Sequence, residues 1–224
     1  MPLLNREVAL KATGRDDARR RIARHFRRFL DDCGIVVEIS GTPPAPGTGC
    51  VLTYNETSFA DVAAFGAVMW PHVDRAAAAE LYGYLPWGRA AMAAAGIGMV
   101  PRGNRAATDA LLDEMVAEVR QGRRVAWGGE GFLQGRDGVG RFKRGAALIA
   151  IRAQAPVIPV TFQGGHDLLP LGRIRAHPGT LRIRFGAPIA TEGLTEADAR
   201  ALSDRLQAAT ALIYAELQAE GQRE

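Results

Sequence analysis

Between Cys50 and Met69 the hydrophobic period of the chain changes once, and that change constrains the fold more than any other stretch. Cys50-Val51-Leu52-Thr53 is a short continuous apolar run, whereas Ser58 to Met69 carries apolar residues at helical spacing until Pro71 closes it. A strand that feeds a helix start is the repeating unit of α/β proteins, whose ligands bind in the crevice outside the strand ends. The junction reads Tyr54-Asn55-Glu56-Thr57-Ser58-Phe59-Ala60-Asp61, with Glu56 and Asp61 on either side of the change and Ser58 able to cap the helix. Another apolar run leads into Trp127-Gly128-Gly129-Glu130-Gly131. Two strand ends thus deliver acids beside glycine, an arrangement that points to an enzyme.

The 224 residues, 47% of them hydrophobic, suffice for a large core. Lys and Arg exceed Asp and Glu by 28 to 24, and a net charge of +4 is too small to imply nucleic acid unless it is clustered. Cys33 and Cys50 make neither a disulfide framework nor a metal cluster. Nothing from Met1 to Lys11 reads as a secretory signal, and no window approaches the roughly 18 consecutive apolar residues of a spanning helix. The expectation is a cytoplasmic protein that does not cross a bilayer but can lie on one.

Charge is clustered in one place. Residues 15 to 32 predict a helix with Ile22, Phe26, Phe29 and Leu30 on one side, and Arg19, Arg20, Arg21, Arg24, Arg27 and Arg28 over much of the rest. Such a helix can lie among lipid headgroups, each arginine gaining up to about 1 kcal/mol near an anionic surface. It can equally pack its apolar stripe on the domain, and the two readings are compatible. The chain divides on this basis into a basic amphipathic segment, 1–34, and an α/β domain, 35–224.

Along that domain, Ile35 to Ile39 reads as a strand, joined through the Pro/Gly-rich residues Gly41 to Gly49 to Cys50–Tyr54 as a hairpin at a sheet edge. Alanine-rich Arg75 to Glu80 is read as a short strand, Trp87 to Ala95 as a helix and Ile97 to Val100 as a strand. The clearest helix runs from Ala106 to Gln121 with Gly122 as its stop, followed by the strand Arg124 to Trp127 and a glycine-rich loop to Arg141. Phe142 to Ala153 returns to helix, and Val157 to Phe162 is a strand whose Pro159 suggests an edge or a bulge. Leu181 to Phe185 alternates apolar and basic residues, and Thr195 to Glu220 is a long amphipathic helix that packs on the body. The result is an α/β fold with one mixed, mostly parallel central sheet flanked by helices.

A helix start favours an ionised carboxylate at Asp61, whereas burial and a like-charged neighbour favour the protonated form of either acid. Surface acids without chemistry fit the spacing equally well. Four short motifs in order add to this. Asn55 to Asp61 resembles the first motif of the glycerolipid (lysophospholipid or 1-acylglycerol-3-phosphate) acyltransferase superfamily, usually Asn-His-x-Ser-x-x-Asp. Gly98-Met99-Val100-Pro101-Arg102 resembles the second, a strand ending in a phosphate-binding arginine. Gly129-Glu130-Gly131 resembles the core of the third, Phe-Pro-Glu-Gly, followed by Phe142-Lys143-Arg144-Gly145 much as a Phe-Lys-x-Gly element follows there. Val157-Ile158-Pro159-Val160 resembles the fourth, so the likeness covers about residues 50 to 163.

The resemblance implies transfer of a fatty acyl group from a thioester of acyl carrier protein or coenzyme A to a lysophospholipid-type acceptor, at the inner face of a membrane. Glu56 stands where the family has histidine, so it takes the role of general base, with Asp61 as its partner. Asn55, Ser58, Arg102, Gly129, Glu130, Gly131 and Lys143 become the candidate substrate-binding residues, Arg102 for phosphate and Glu130 for the acceptor hydroxyl. Glu56 and Asp61 are expected to face each other in one pocket beside Arg102 and Glu130. A carboxylate starts near pKa ~4.3 rather than the ~6.5 of imidazole, so the site must raise it to make it a useful base. Gly128-Gly129 also replaces the Phe-Pro pair. A non-catalytic lipid- or carrier-binding protein, or a transferase with a different acceptor such as an amine, remains the alternative. Of the four histidines, all expected at the surface, His166 lies nearest a strand end, in Gly164-Gly165-His166-Asp167.

Overall fold

The computed structural model describes residues 1–173 and 175–223. Its centre is a seven-stranded sheet of β1 (Ile35–Gly41), β2 (Cys50–Tyr54), β3 (Arg75–Ala79), β4 (Ile97–Val100), β5 (Arg124–Gly128), β6 (Val157–Gln163) and β7 (Gly179–Phe185). The spatial order is β1-β7-β6-β2-β5-β3-β4, parallel at every pairing except β6 with β7. The helices are α1 (Pro2–Lys11), α2 (Arg15–Asp32), α3 (Phe59–Val68), α4 (Gly88–Ala95), α5 (Arg105–Arg120), α6 (Gly145–Ala153), α7 (Gly165–Leu168) and α8 (Ala199–Gly221). The mixed, mostly parallel α/β architecture expected from the sequence is the one observed.

β2 sits at the middle of the sheet with all five residues buried, because a parallel strand covered by helices on both faces has no wet side. Leu52 and Tyr54 point into a core shared with α1, α2, α3 and α4, and Val51 into a second core shared with α5, α6 and α8. α3 begins where the sequence places it: Ser58 Oγ accepts from Ala60 N at 3.1 Å, and Asp61 reaches back to the cap. α5 ends at Gly122, whose φ of +83° glycine adopts without strain.

Two expectations are corrected. β1 and β2 form no hairpin; β1 pairs only with β7, and β7 and β6 lie between it and β2. The long proline-rich link crosses the sheet instead of turning back. Pro159 sits in an interior strand, not at an edge. It falls in the gap between the Val157–Ile189 bridge and the start of the β6–β7 ladder at Val160–Phe185, so no ladder bond is lost, and its carbonyl still accepts from Gly186 N at 2.8 Å. Within the segment 1–34, read from the sequence as helical, a separate helix α1 precedes α2.

In α2, Ile22, Phe26 and Leu30 are buried as the helical spacing predicts, but so is Arg19. Its guanidinium donates to the carbonyls of Ala95, Val73 and Asp74 at 2.9, 3.2 and 2.6 Å and lies 4.9 Å from the Trp70 ring. That arginine staples α2 to the start of β3; Arg20, Arg24, Arg27 and Arg28 remain exposed. α2 and α3 approach closely because Gly66 lets the Phe26 ring sit where a side chain would be. Gly66→Val is expected to lower stability by about 1–3 kcal/mol through overpacking, read as a lower denaturation midpoint.

Candidate active site

The C-terminal ends of β6, β2 and β5 lie side by side, and the groups of interest leave from them. Asn55 continues the pairing with its side chain: Nδ2 donates to Phe162 O and Oδ1 accepts from Phe162 N, both at 2.9 Å. Glu130, buried after β5, accepts from the Glu56 N–H at 2.8 Å and from the Gly140 N–H at 2.5 Å. One carboxylate thereby fixes the loop after β2 against the loop after β5. Gly129 N donates to Tyr54 O at 2.8 Å, a bond proline could not make, and a Cβ there would stand 2.6 Å from the Phe142 ring. The local packing therefore demands glycine at 129.

Asp61 is fully buried at the first turn of α3. Its Oδ2 accepts from Thr57 N at 2.6 Å, Thr57 Oγ1 at 2.8 Å and Ser58 N at 3.1 Å, while Oδ1 has no partner among the described residues. Ser58 Oγ donates to Gly165 O at 2.7 Å, joining the start of α3 to the turn after β6. Asn55, Ser58, Asp61, Gly129 and Glu130 thus form a buried frame, and Glu56 is the acid that this frame leaves facing open space.

That space is a cavity of about 750 Å³. Its apolar lining includes Leu4, Val8, Ile22, Phe26, Phe65 and Trp70 with the small residues Ala76 and Ala78 of β3. Its charged lining includes Arg102, Arg105, Lys143 and Arg144, with the acids Asp109 and Glu196. Arg102, Lys143 and Arg144 make no ion pair among the described residues, and Lys143 Nζ rests 5.4 Å from the Phe132 ring. Glu56, Tyr82, Gly128 and Gly131 complete the wall.

The electrostatics follow from crowding three carboxylates into this corner. Burial, then the charges of Asp61 and Glu130, push the Glu56 carboxyl up from 4.5 to about 8. Burial raises Glu130 to about 7 against the pull of its two backbone donors. Burial also raises Asp61, opposed by the Thr57 and Ser58 donors and by His166. Tyr54 and Tyr82 are raised by burial and next by the charge of Glu56. The three acids titrate as a group.

Of the residues read from the sequence, Glu56, Arg102, Gly131 and Lys143 line the cavity. Asp61 and Glu130 do not face it beside Glu56 as expected. Asp61 is turned back to satisfy the N–H groups at its helix start, and Glu130 spends both oxygens on backbone donors. Tyr82 and the alanine floor went unrecognised as site residues. Tyr82 lies just beyond the C-terminal end of β3, so the rule that picked out Glu56 and Glu130 would have found it.

A parallel α/β sheet whose strand ends hold a raised carboxylate beside a cavity of mixed apolar and charged lining has the place and the lining of a ligand site. The model of the family described as Acyltransferase matches residues 36–163, and the chain belongs to that family. Over 80 residues it is 34% identical to human 1-acyl-sn-glycerol-3-phosphate acyltransferase alpha, covering 36% of this chain and 28% of the relative. Over 175 residues it is 29% identical to the putative 1-acyl-sn-glycerol-3-phosphate acyltransferase acl-2 of Caenorhabditis elegans, covering 77% of this chain and 62% of the relative. These matches span little more than a quarter and less than two thirds of those relatives' lengths. The fold is that of the 1-acyl-sn-glycerophosphate acyltransferase PlsC from Thermotoga maritima, at a TM-score of 0.69 and 20% identity over 97% of this chain and 88% of that one.

The raised carboxyl of Glu56 has a thermodynamic sign. A group whose folded pKa exceeds its unfolded value supports folding fully below the unfolded pKa, here near 4.5, and that support is lost as pH rises through about 8. The melting temperature of wild type relative to Glu56→Gln should therefore fall steadily between about pH 5 and about pH 8. Parallel melting curves across that range would show that Glu56 is not held protonated.

Proposed function

We propose that this protein transfers an acyl chain from a thioester, on acyl carrier protein or coenzyme A, to the hydroxyl of a lysophospholipid of the 1-acylglycerol-3-phosphate type, with Glu56 as general base. The observation that carries the reading is a single raised carboxylate on the wall of a cavity whose lining combines many apolar side chains with several cations. The apolar lining suits an aliphatic chain. The unpaired cations Arg102, Lys143 and Arg144 suit phosphate oxygens, to which a guanidinium offers two parallel donors.

Glu56 takes the proton from the acceptor hydroxyl as its oxygen attacks the thioester carbonyl; the tetrahedral intermediate collapses, the C–S bond breaks and the thiol leaves with a proton. A base works best when its pKa lies near the operating pH, and the ordinary carboxylate is several units too acidic for that. Burial and the two acids behind Glu56 supply the correction, raising it to about 8. Asp61 contributes through its charge. Asn55, Ser58, Gly129 and Glu130 hold the loop that presents Glu56, and Arg102, Gly131 and Lys143 meet the acceptor. This reading needs no metal or organic cofactor.

Membrane access belongs to the same proposal. The segment 1–34 exposes Leu3 and Leu10 on α1 and Arg20, Arg24 and Arg28 on α2, while its buried faces supply part of the apolar lining of the cavity. A chain lifted from the inner leaflet would pass along that segment. No helix among the described residues is long and apolar enough to cross a membrane.

Glu56→Gln should cost about 10²–10⁴-fold in turnover with acyl thioester and lysophosphatidate, with the fold unchanged by circular dichroism. Unchanged turnover would remove Glu56 from the reaction, and absence of thioester consumption by the wild type would favour a binding protein. Arg102→Ala should raise KM for the phosphate-bearing acceptor roughly tenfold or more and leave the donor KM unaltered. Arg20, Arg24 and Arg28 changed together to Gln should weaken co-sedimentation with anionic vesicles but not with zwitterionic ones.

A further inference from the structure

Asp61 Oδ1 is an anomaly of this site. A buried carboxylate oxygen is ordinarily hydrogen-bonded, and the other oxygen of the same group takes three donors. The chain that comes up against Oδ1 is the turn after β6, where a Cβ on Gly165 would overlap that atom. Ser58 Oγ ties this turn to the start of α3 through the Gly165 carbonyl. The next residue is His166, half-buried, whose Nδ1 is also buried and has no partner among the described residues. An acceptor lacking a donor and an imidazole nitrogen lacking a partner thus lie on two segments that are bonded to each other. The remaining titratable groups whose charges bear on Asp61 or feel it are Glu56, Glu130 and Tyr214, with Arg136 acting on Glu130 and Asp137 on Tyr214.

We propose that His166 is a positioning residue for the acyl transfer: its Nδ1–H, which bonds no described residue in this structure, turns to Asp61 Oδ1 and so holds that carboxylate ionised and in place behind Glu56. The proposal rests on the reading of Glu56 as base. His166 does not line the cavity and touches no reacting atom; it acts through Asp61. The acid at 56 leaves Asp61 with no imidazole from its own loop, and the turn after β6 supplies one from the opposite side. An ionised Asp61 makes Glu56 the stronger base, because its charge resists loss of the Glu56 proton.

Two measurements test this. In ¹⁵N-histidine NMR of the intact protein at neutral pH, His166 should carry its proton on Nδ1, and Asp61→Asn should change that resonance. Nδ1 found unprotonated in the wild type, or unaffected by Asp61→Asn in a folded variant, overturns the proposal whatever the enzyme does. In kinetics, His166→Phe keeps the bulk but removes the donor; Asp61 then protonates more readily, Glu56 becomes less basic, and the acid limb of the kcat/KM profile should move to lower pH by about half a unit or more. His166→Asn, whose amide N–H reaches the Nδ1 position, should restore the limb. Loss of melting temperature with an unmoved limb in both variants would mean a packing role only and sinks the proposal. If Glu56→Gln keeps full activity, the base assignment fails separately, and the NMR result still decides the His166–Asp61 contact.

Discussion

The pair of hydrogen bonds that Glu130 accepts from the N–H groups of Glu56 and Gly140 is the constraint on which the site depends. A buried carboxylate with only backbone donors around it is costly to ionise, and burial raises it to about 7. The fold tolerates that cost because the bond spans two loops leaving adjacent parallel strands, joining the backbone bonds from Gly129 N to Tyr54 O, Gln134 N to Glu56 O and Gly135 N to Thr57 O where the ladder of β2 and β5 ends at Tyr54 and Gly128. Asn55 does the same toward β6 by mimicking one more backbone pair with its amide. Glu56 is consequently the first side chain beyond the sheet that is free to face a ligand.

The same crowding gives Glu56 its chemistry. Three carboxylates in one corner cannot all ionise, and Glu56, which has no donor among the described residues, is displaced further than Glu130. Asp61 has three donors on one oxygen, Glu130 has two backbone N–H groups, and no donor to the Glu56 carboxylate offsets its burial. Stability and function therefore pull in opposite directions at this point, as they do wherever a site holds a strained charge. The cavity beside it exists because β3 offers only alanines where a strand would ordinarily fill space with branched side chains, and because α1 and α2 close over that floor with Leu4, Val8 and Ile22.

The sequence was most legible where local pattern and tertiary environment agree. The apolar run Cys50–Tyr54, the cap at Ser58 and the stripe on α5 each have one structural solution that buries them, and each is found where it was read. Legibility failed where the deciding neighbour lies far along the chain. Pro159 reads as an edge or bulge residue, yet the strand is central, and the chain beside it at Ile189 and Gly186 slips register by one residue and leaves a gap of the right size. Arg19 reads as one of a wet arginine face, yet carbonyls of Val73 and Asp74 just before β3 and of Ala95 in α4, over fifty residues away, receive it. A hairpin between β1 and β2 satisfies every local turn rule, yet β7, encoded more than a hundred residues later, pairs with β1 instead.

By itself the sequence determined that strands feed helices, that acids and glycines fall at strand ends, and that Glu56 stands in the first of four motif-like segments. Those properties depend on spacing along the chain, which is visible without coordinates in space. Only the tertiary structure decided which acid faces the cavity, how far its proton affinity rises, and that Asp61 and Glu130 stand behind it. Those outcomes depend on how many backbone donors reach each carboxylate and how much water is excluded from it, and both are set by segments that meet only when the sheet is assembled.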